Sequence, residues 1–449
     1  MNTGDFFKKL AVNTGRVLVG LTFVFSGYVK AIDPLGTQYK IADYLQALGL
    51  AGFLPDWLTL AASVALSTLE LSLGILLLFG IRRRLVTRIL LVVMLFMTAI
   101  TLWIAVANPV KDCGCFGDAV KLTNMQTLAK NVVLLALVAM MWRMPLYIIR
   151  CFSRSTQWIV INYTVLFSIL LSAWSLWYLP LFDFRPYHVG ADINKGMEIP
   201  KGAAQPQFET TFILEKNGEK KEFTLDNYPD STWTFVDSKT VQTSEGYVPP
   251  IHDFSIEDSR SGEDITRQVL RDPGYTFMLI SPSLAKADDA NFGAIDQIYE
   301  YAQDYGYRFI CLTASADKEI VRWQEMTGAE YPFYTTDATT LKTIIRSNPG
   351  LVLLHGGTIV RKWSHNDLPS EEELKAPLEE SPLGHIPADN AMGKIAKVLL
   401  WFFLPLILLT IADRLFTWTA WIRNKKKNTN KIFSTFKKEK KNEKENCSR

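Results

Sequence analysis

The residues of this 449-residue chain best suited to chemistry lie in one loop, Asp112-Cys113-Gly114-Cys115-Phe116-Gly117-Asp118. Two thiols two positions apart can work as a dithiol or close to a disulfide. Closing so small a ring is demanding, because bridged Cα atoms usually lie about 4.4–6.8 Å apart. Gly114 relaxes the backbone between the two cysteines, since glycine accepts φ values that other residues avoid. A strained or exposed disulfide is readily reduced, and such bonds tend to be catalytic or regulatory. A structural bond would more naturally tie distant segments. Three readings stay open: a redox-active pair, a bond or free pair that shapes the loop, and metal binding. Zinc wants four ligands. No histidine occurs in residues 1–182, so Asp112, Asp118 or a partner would have to complete the set, and no metal site is assigned.

The other three of the 5 cysteines form no pair. Cys311 falls in a predicted buried strand and reads as an inert core thiol. Cys151 and Cys447 fall beside basic segments and read as incidental. The histidines, His188, His252, His355, His365 and His385, are scattered and outline no metal cluster. Arg16, Lys30 and Glu70 interrupt or bound apolar runs. Ionisable groups inside membranes are costly and often functional. Glu70 lies about ten residues, roughly 15 Å, from the inner end of its run. Arg16 is expected to reach inward and pair with it. Such a pair serves function or merely fixes helix packing, and a protonated, unpaired Glu70 is the third reading.

The elements that must position these groups follow from hydropathy. Crossing about 30 Å of hydrocarbon takes about 20 mostly apolar residues. Six runs qualify, at 11–30, 57–80, 86–107, 125–145, 157–180 and 396–413. The net charge of +3 conceals large opposite contributions. Residues 1–182 carry 15 Lys+Arg against 7 Asp+Glu, residues 183–394 carry 20 against 34, and residues 395–449 carry 13 against 4. The basic clusters are Lys8 and Lys9, Arg82 to Arg84 with Arg88, Arg143 with Arg150 and Arg154, and Arg423 with Lys425 to Lys427. The positive-inside rule places all of them in the cytoplasm when both termini are inside. The loops 31–56 and 108–124 and the acidic middle then face outward. The first run reads as a retained signal anchor. The Lys-rich tail reads as a solvated, disordered topology anchor, with contact to anionic membrane lipids as the sharper alternative. Nothing points to nucleic acid.

Residues 183–394 read as soluble α/β. Runs at Thr210 to Leu214 and Glu222 to Leu225 flank Asn217-Gly218, a hairpin turn signal. Strands are expected at Tyr275 to Ser281, Tyr307 to Thr313, Tyr331 to Thr335, Leu351 to Leu354 and Thr358 to Trp363. Helices are expected at Asp289 to Tyr305, Lys318 to Thr327 and Thr339 to Arg346. Alternation of this kind implies a sheet with parallel members and helices on its faces.

Two resemblances emerge from these residues. Arg16 with Phe25-Ser26-Gly27-Tyr28-Val29-Lys30 and Asp33-Pro34, then Glu70-Leu71-Ser72-Leu73-Gly74 and Gly80, resemble the opening helices of the DoxX family. The Cys-Gly-Cys-Phe-Gly-Asp loop is similar to its MauE-like branch. This covers residues 1–145 and implies a four-helix bundle engaged in thiol redox or disulfide formation, with Cys113 and Cys115 as the working residues. The region 250–370 resembles the membrane-tethered, TlpA-like thioredoxin fold. Pro250 to Ile256 with Gly262 to Thr266 are similar to its opening hairpin, and Gly357 to Val360 to its final hairpin. Pro349, in Asn348-Pro349-Gly350-Leu351, takes the place of its cis-proline. The family's Cys-x-x-Cys is replaced by Ser281-Pro282-Ser283-Leu284, and a hydroxyl cannot replace a thiolate in disulfide exchange.

The expected fold is therefore a membrane α-helical one: a DoxX-like four-helix bundle (1–145), a fifth span (146–182), an extracytoplasmic β-rich segment (183–249), a thioredoxin-like α/β domain (250–370), an acidic linker (371–395), a sixth span (396–413) and a basic cytoplasmic tail (414–449). The expected role is thiol–disulfide redox for exported proteins in the bacterial cytoplasmic membrane. Partners would be an exported client or another periplasmic redox protein, with a membrane quinone as electron acceptor. The alternative is a non-enzymatic scaffold whose thioredoxin-like domain only binds a partner. Small-molecule transport is weaker, since no internal repeat supports it.

Overall fold

A computed structural model describes residues 3–110, 113–154, 156–204, 207–216, 219–224, 234–244, 246–258, 261–388 and 390–446. Asp112, the Asn217-Gly218 turn, Leu225 and Cys447 lie outside these residues. The chain divides into two compact units, one of residues 1–182 with 388–449 and one of residues 183–387.

The first unit is helical: α1 (Thr3–Ile32), α2 (Pro34–Ala47), α3 (Asp56–Leu78), α4 (Arg83–Ala107), α5 (Asn124–Arg143) and α6 (Gln157–Trp177), with α12 (Ala391–Asn446) returning after the second unit. Among the described residues, six helices are long and apolar enough to cross a membrane: α1, α3, α4, α5, α6 and Ala391–Arg423 of α12. The tail expected to be disordered continues α12 as helix to Asn446.

Helices α1 and α3 touch through small residues. A Cβ built on Gly27 would lie 2.2 Å from Leu71 N, one on Gly74 2.6 Å from Val24 N, and one on Gly20 2.6 Å from the Leu78 side chain. These contacts set an antiparallel register in which Glu70 lies about level with Tyr28. Lys30 is two residues from that level, whereas Arg16 is twelve residues, about 18 Å of helix, away. The expected Arg16–Glu70 pair is therefore absent. Lys30 pairs with Glu70 instead, at 2.7 Å. Arg16 donates from Nη1 to the Ile149 carbonyl at 2.7 Å.

The loop 31–56 contains the helix α2. Asp33 caps it by accepting from Gly36 N at 2.9 Å, and Pro34 occupies its first turn. Proline fits there because the first-turn N–H groups have no intrahelical acceptor to lose.

The second unit begins with α7 (Ile193–Met197) and an antiparallel sheet of order β2-β1-β3, made of β1 (Gln207–Lys216), β2 (Glu219–Thr224) and β3 (Thr234–Ser244). The β1/β2 ladder brings Lys216 opposite Glu219, the hairpin that the sequence pattern predicts. Next come α8 (Thr266–Leu270), β4 (Tyr275–Ser281), α9 (Phe292–Asp304), β5 (Arg308–Thr313), α10 (Asp317–Thr327), β6 (Phe333–Thr335), α11 (Ala338–Ile344), β7 (Gly350–His355) and β8 (Thr358–Ser364). The sheet order is β6-β5-β4-β7-β8. Strand β4 runs parallel to β5 and antiparallel to β7. Every residue of β4 is buried, as expected for a central strand covered on both faces. This mixed sheet with flanking helices is thioredoxin-like.

The segment expected to be an acidic linker differs. Leu374, Leu378 and Leu383 are buried in the same core as Phe277 and Leu353, and Tyr301 donates to the Ala376 carbonyl at 2.8 Å. The glutamates suit an exposed face, but these leucines recur on the other side and bury it. The unit therefore runs on to Pro387.

A buried ion cluster ties the start of this unit to β8. Lys362 Nζ lies 2.8 Å from one Asp183 oxygen, and Arg185 Nε lies 2.7 Å from the other. Burial alone would push Asp183 up, but the charges and hydrogen bonds of Lys362 and Arg185 outweigh it and hold the carboxyl well below the usual range. Burial pushes Lys362 down, to about 8, against the pull of Asp183, and the Arg185 charge adds to the lowering. Two cations share one carboxylate there.

Candidate functional site

The Cys113–Cys115 loop sits between the end of α4 and the start of α5. Thr123 and Gln126 form a capping box that fixes where α5 begins. Gly114 has φ +63° and Gly117 φ +52°, both left-handed values that favour glycine. Gly114 makes the turn between the two cysteines, whose Sγ atoms lie 3.0 Å apart, and both are free thiols. A disulfide would need about 2.05 Å, so only a short movement of two side chains separates dithiol from disulfide.

Other elements hold this loop in place. From α2, Tyr44 donates its hydroxyl to the Cys113 carbonyl at 2.5 Å, and the Lys40 stem lies where a Gly114 Cβ would meet it at 3.1 Å. From α1, the Ser26 Oγ lies 2.7 Å from both the Cys115 carbonyl oxygen and Glu70 Oε2. A serine hydroxyl has one proton to give, so it serves one acceptor at a time. Lys30 Nζ reaches both Glu70 oxygens at 2.7 Å and Ser26 Oγ at 3.2 Å. The ion pair and the thiol loop are thus joined through Ser26. From α5, Lys130 Nζ stands 4.2 Å from the centre of the Phe116 ring. A small cavity of about 40 Å³ beside Cys115 is lined by Ser26, Lys30, Glu70, Phe116, Lys130 and Asn131, among others.

The electrostatics separate the two thiols. The hydrogen bond from Cys113 pushes Cys115 down to about 6, against burial, and the charges of Lys130 and Lys30 push the same way. The same hydrogen bond, followed by burial, pushes Cys113 up. The arrangement stabilises one thiolate, on Cys115, beside one thiol. A thiolate is the attacking species in disulfide exchange.

The structure thus gathers Cys113, Cys115, Lys30 and Glu70 at one place and leaves Arg16 elsewhere. Lys130 and Tyr44 belong to the site and escape the sequence reading. Lys130 carries a signal, an ionisable residue five positions into the apolar run 125–145. Tyr44 carries none beyond its place in a helix that Asp33-Pro34 announces. Among the described residues, no group of three or more His, Cys, Asp or Glu side chains is placed to hold a metal ion.

The thioredoxin-like unit holds no second thiol site. The Asn348–Pro349 bond is cis. Beside it, Ser281 Oγ donates to Asn348 Oδ1 at 2.7 Å, and Asn348 Nδ2 donates to the Ser283 carbonyl at 2.9 Å. The stretch Ser281-Pro282-Ser283-Leu284 presents hydroxyl groups and no thiol. Cys311 is buried in β5, and burial pushes its thiol up.

A membrane helical region with a cysteine pair beside a buried Lys–Glu pair, and a thioredoxin-like unit without one, define the class. Residues 8–144 match the family model of methylamine utilisation protein MauE. Residues 8–144 of this multi-pass protein are therefore MauE-like. Residues 208–245 match a domain of unknown function, DUF8463. A solution structure from Bacteroides thetaiotaomicron, described as a candidate protein disulfide isomerase, is similar at 17% identity with a TM-score of 0.21, over 27% of this chain and 78% of that one. Among curated proteins no match to the chain is found.

Proposed function

We propose that this protein is a membrane thiol–disulfide redox protein whose Cys113 and Cys115 cycle between dithiol and disulfide. The observation that carries this reading is the 3.0 Å approach of the two sulfurs next to Lys30 and Lys130, with Cys115 pushed down to about 6. In the oxidised form, a client thiolate attacks the disulfide and a second client thiol resolves the mixed disulfide. The client leaves oxidised and the pair becomes a dithiol. Reoxidation removes two electrons and two protons, which a membrane quinone would accept to become a quinol. Cys115 would be the thiolate that starts this half-reaction.

The protein would reside in a bacterial cytoplasmic membrane with both termini in the cytoplasm, in the manner of DoxX-type proteins. Loop 108–124 and the second unit would then face the periplasm. That unit would hold an exported cysteine-containing client, or another periplasmic redox protein, without exchanging electrons itself. Ser281, Ser283 and the buried Cys311 support binding over exchange there. The same features are what a non-enzymatic scaffold would show, so Cys113 and Cys115 must decide.

The test is thiol trapping in membranes with a mass tag, before and after reductant, in the wild type and in Cys113→Ser and Cys115→Ser. The expected result is a tag shift of two thiols that follows the redox state, with loss of client oxidation in both variants. A pair that never changes state, or variants with full activity towards clients, would leave the scaffold reading in its place.

A further inference from the structure

The end of the helical unit away from the thiol loop carries a second feature. A cavity of about 740 Å³ is lined by Arg82, Arg83, Arg84, Leu85, Leu146, Arg150, Arg154 and Gln157. Among the described residues that line it, none is acidic. Arg83 is partly engaged, donating to the Leu146 and Ile148 carbonyls at 2.6 and 2.8 Å, yet among the described residues its buried Nε has no partner.

Two helices also start at this cavity. Helix α4 begins at Arg83 and α6 at Gln157, and among the described residues neither start has a side-chain cap. The first N–H groups of a helix have no intrahelical acceptor, and the helix dipole adds positive potential there. The positive-inside rule asks only that basic residues lie on this side. It does not ask that five guanidinium groups gather round one hollow with two uncapped helix starts. Leu85 and Leu146, at the same hollow, are 54% and 57% exposed. An inorganic anion would gain nothing from them, whereas the acyl chains of an amphiphile would cover them.

We infer that this cavity binds the phosphate headgroup of an anionic phospholipid, with the chains lying along Leu85 and Leu146. The volume lies within the range usual for small-ligand sites, about 300–1,000 Å³. Each basic residue near a headgroup contributes about 1 kcal/mol, or about fivefold in affinity.

The test is native mass spectrometry of the full-length protein in neutral detergent, titrated with phosphatidylglycerol, phosphatidylcholine or inorganic phosphate. Phosphatidylglycerol is expected to bind at one saturable site, and phosphatidylcholine at least tenfold more weakly. Arg84→Gln/Arg154→Gln is expected to weaken phosphatidylglycerol about 25-fold, and Arg154→Gln alone, in an exposed loop, about fivefold. Lys425→Gln/Lys426→Gln/Lys427→Gln in the tail is expected to leave that site unchanged. Equal binding of the two lipids, wild-type affinity in the arginine variants, or equal weakening by the tail variant would overturn the proposal. Displacement by inorganic phosphate at matching concentrations would reassign the site to a free anion.

Discussion

Replacing Lys30 by methionine leaves the Glu70 carboxylate buried with the Ser26 hydroxyl as its remaining hydrogen-bond partner among the described residues. The two side chains are 6% and 5% exposed and their charges lie 2.7 Å apart. At an effective dielectric of about 20, the attraction is roughly 6 kcal/mol. Desolvating both ions costs several kcal/mol each, so the intact pair contributes little net stability. Removing one partner is different, because the other keeps its desolvation penalty and loses its compensation. Lys30→Met is therefore expected to destabilise the protein by about 3–5 kcal/mol. Lys30→Met/Glu70→Leu is expected to recover most of that loss. The assay is equilibrium unfolding of the full-length protein in mixed micelles, read alongside the rate of Cys115 alkylation. A pair that only fixes packing predicts recovered stability in the double variant and alkylation at the wild-type rate in both variants. A pair that tunes the thiol predicts alkylation slowed in Lys30→Met, where the Glu70 charge that pushes Cys115 up is left unopposed, and largely restored in the double variant, where both charges are gone. A single variant within 1 kcal/mol of wild type, or a double variant no more stable than the single, would refute the reasoning.

Other expectations follow from the same geometry. With Cys115 near 6, its alkylation by a small thiol reagent is expected to be about tenfold faster at pH 7 than at pH 5; a midpoint at 8–9 contradicts this. Cys113→Ala removes the hydrogen bond that contributes most, so that midpoint is expected to move upward. Gly27→Val places a side chain where a Cβ already meets Leu71 N at 2.2 Å, and a loss of at least 1–3 kcal/mol is expected in the same unfolding assay. The Asp183 carboxyl is held low in the folded state, so it binds fewer protons there than in the unfolded chain. Its stabilisation is present above its unfolded value of about 3.9 and is lost as pH falls below that. Asp183→Asn is expected to cost about 3–5 kcal/mol at neutral pH and to flatten the acid limb, as followed by proteolysis of the second unit.

Much of the architecture was legible because the signals are local. Membrane runs are read from twenty neighbouring residues, and β4 is read from the apolar run Phe277 to Ile280 at its centre. The Lys30–Glu70 pair was not legible, because it depends on the register between α1 and α3. That register is set by which glycines meet which backbone atoms. Counting depth from the helix ends favoured Arg16, since it ignores that register. The acidic stretch after Ser370 misled for another reason. Its charges are counted along the chain, whereas burial of Leu374, Leu378 and Leu383 depends on where the chain turns. At the thiol site the sulfurs could be read from sequence. Lys130 and Tyr44 come from other helices, and only folding brings them to the loop.

The distribution of sulfur limits how the two units can share a task. Disulfide exchange needs an accessible thiolate. In the second unit the one cysteine is Cys311, fully buried with its thiol pushed up. A buried thiol of this kind offers a client no accessible thiolate. In the helical unit, the thiolate of Cys115 is favoured by groups from α1 and α5 as well as by its neighbour Cys113. If both units act in one reaction, the helical unit must supply the chemistry and the thioredoxin-like unit only the grip. A Cys311→Ser variant should then leave client oxidation intact wherever the protein still folds. Loss of activity in a folded Cys311→Ser protein would show that this division of labour is wrong.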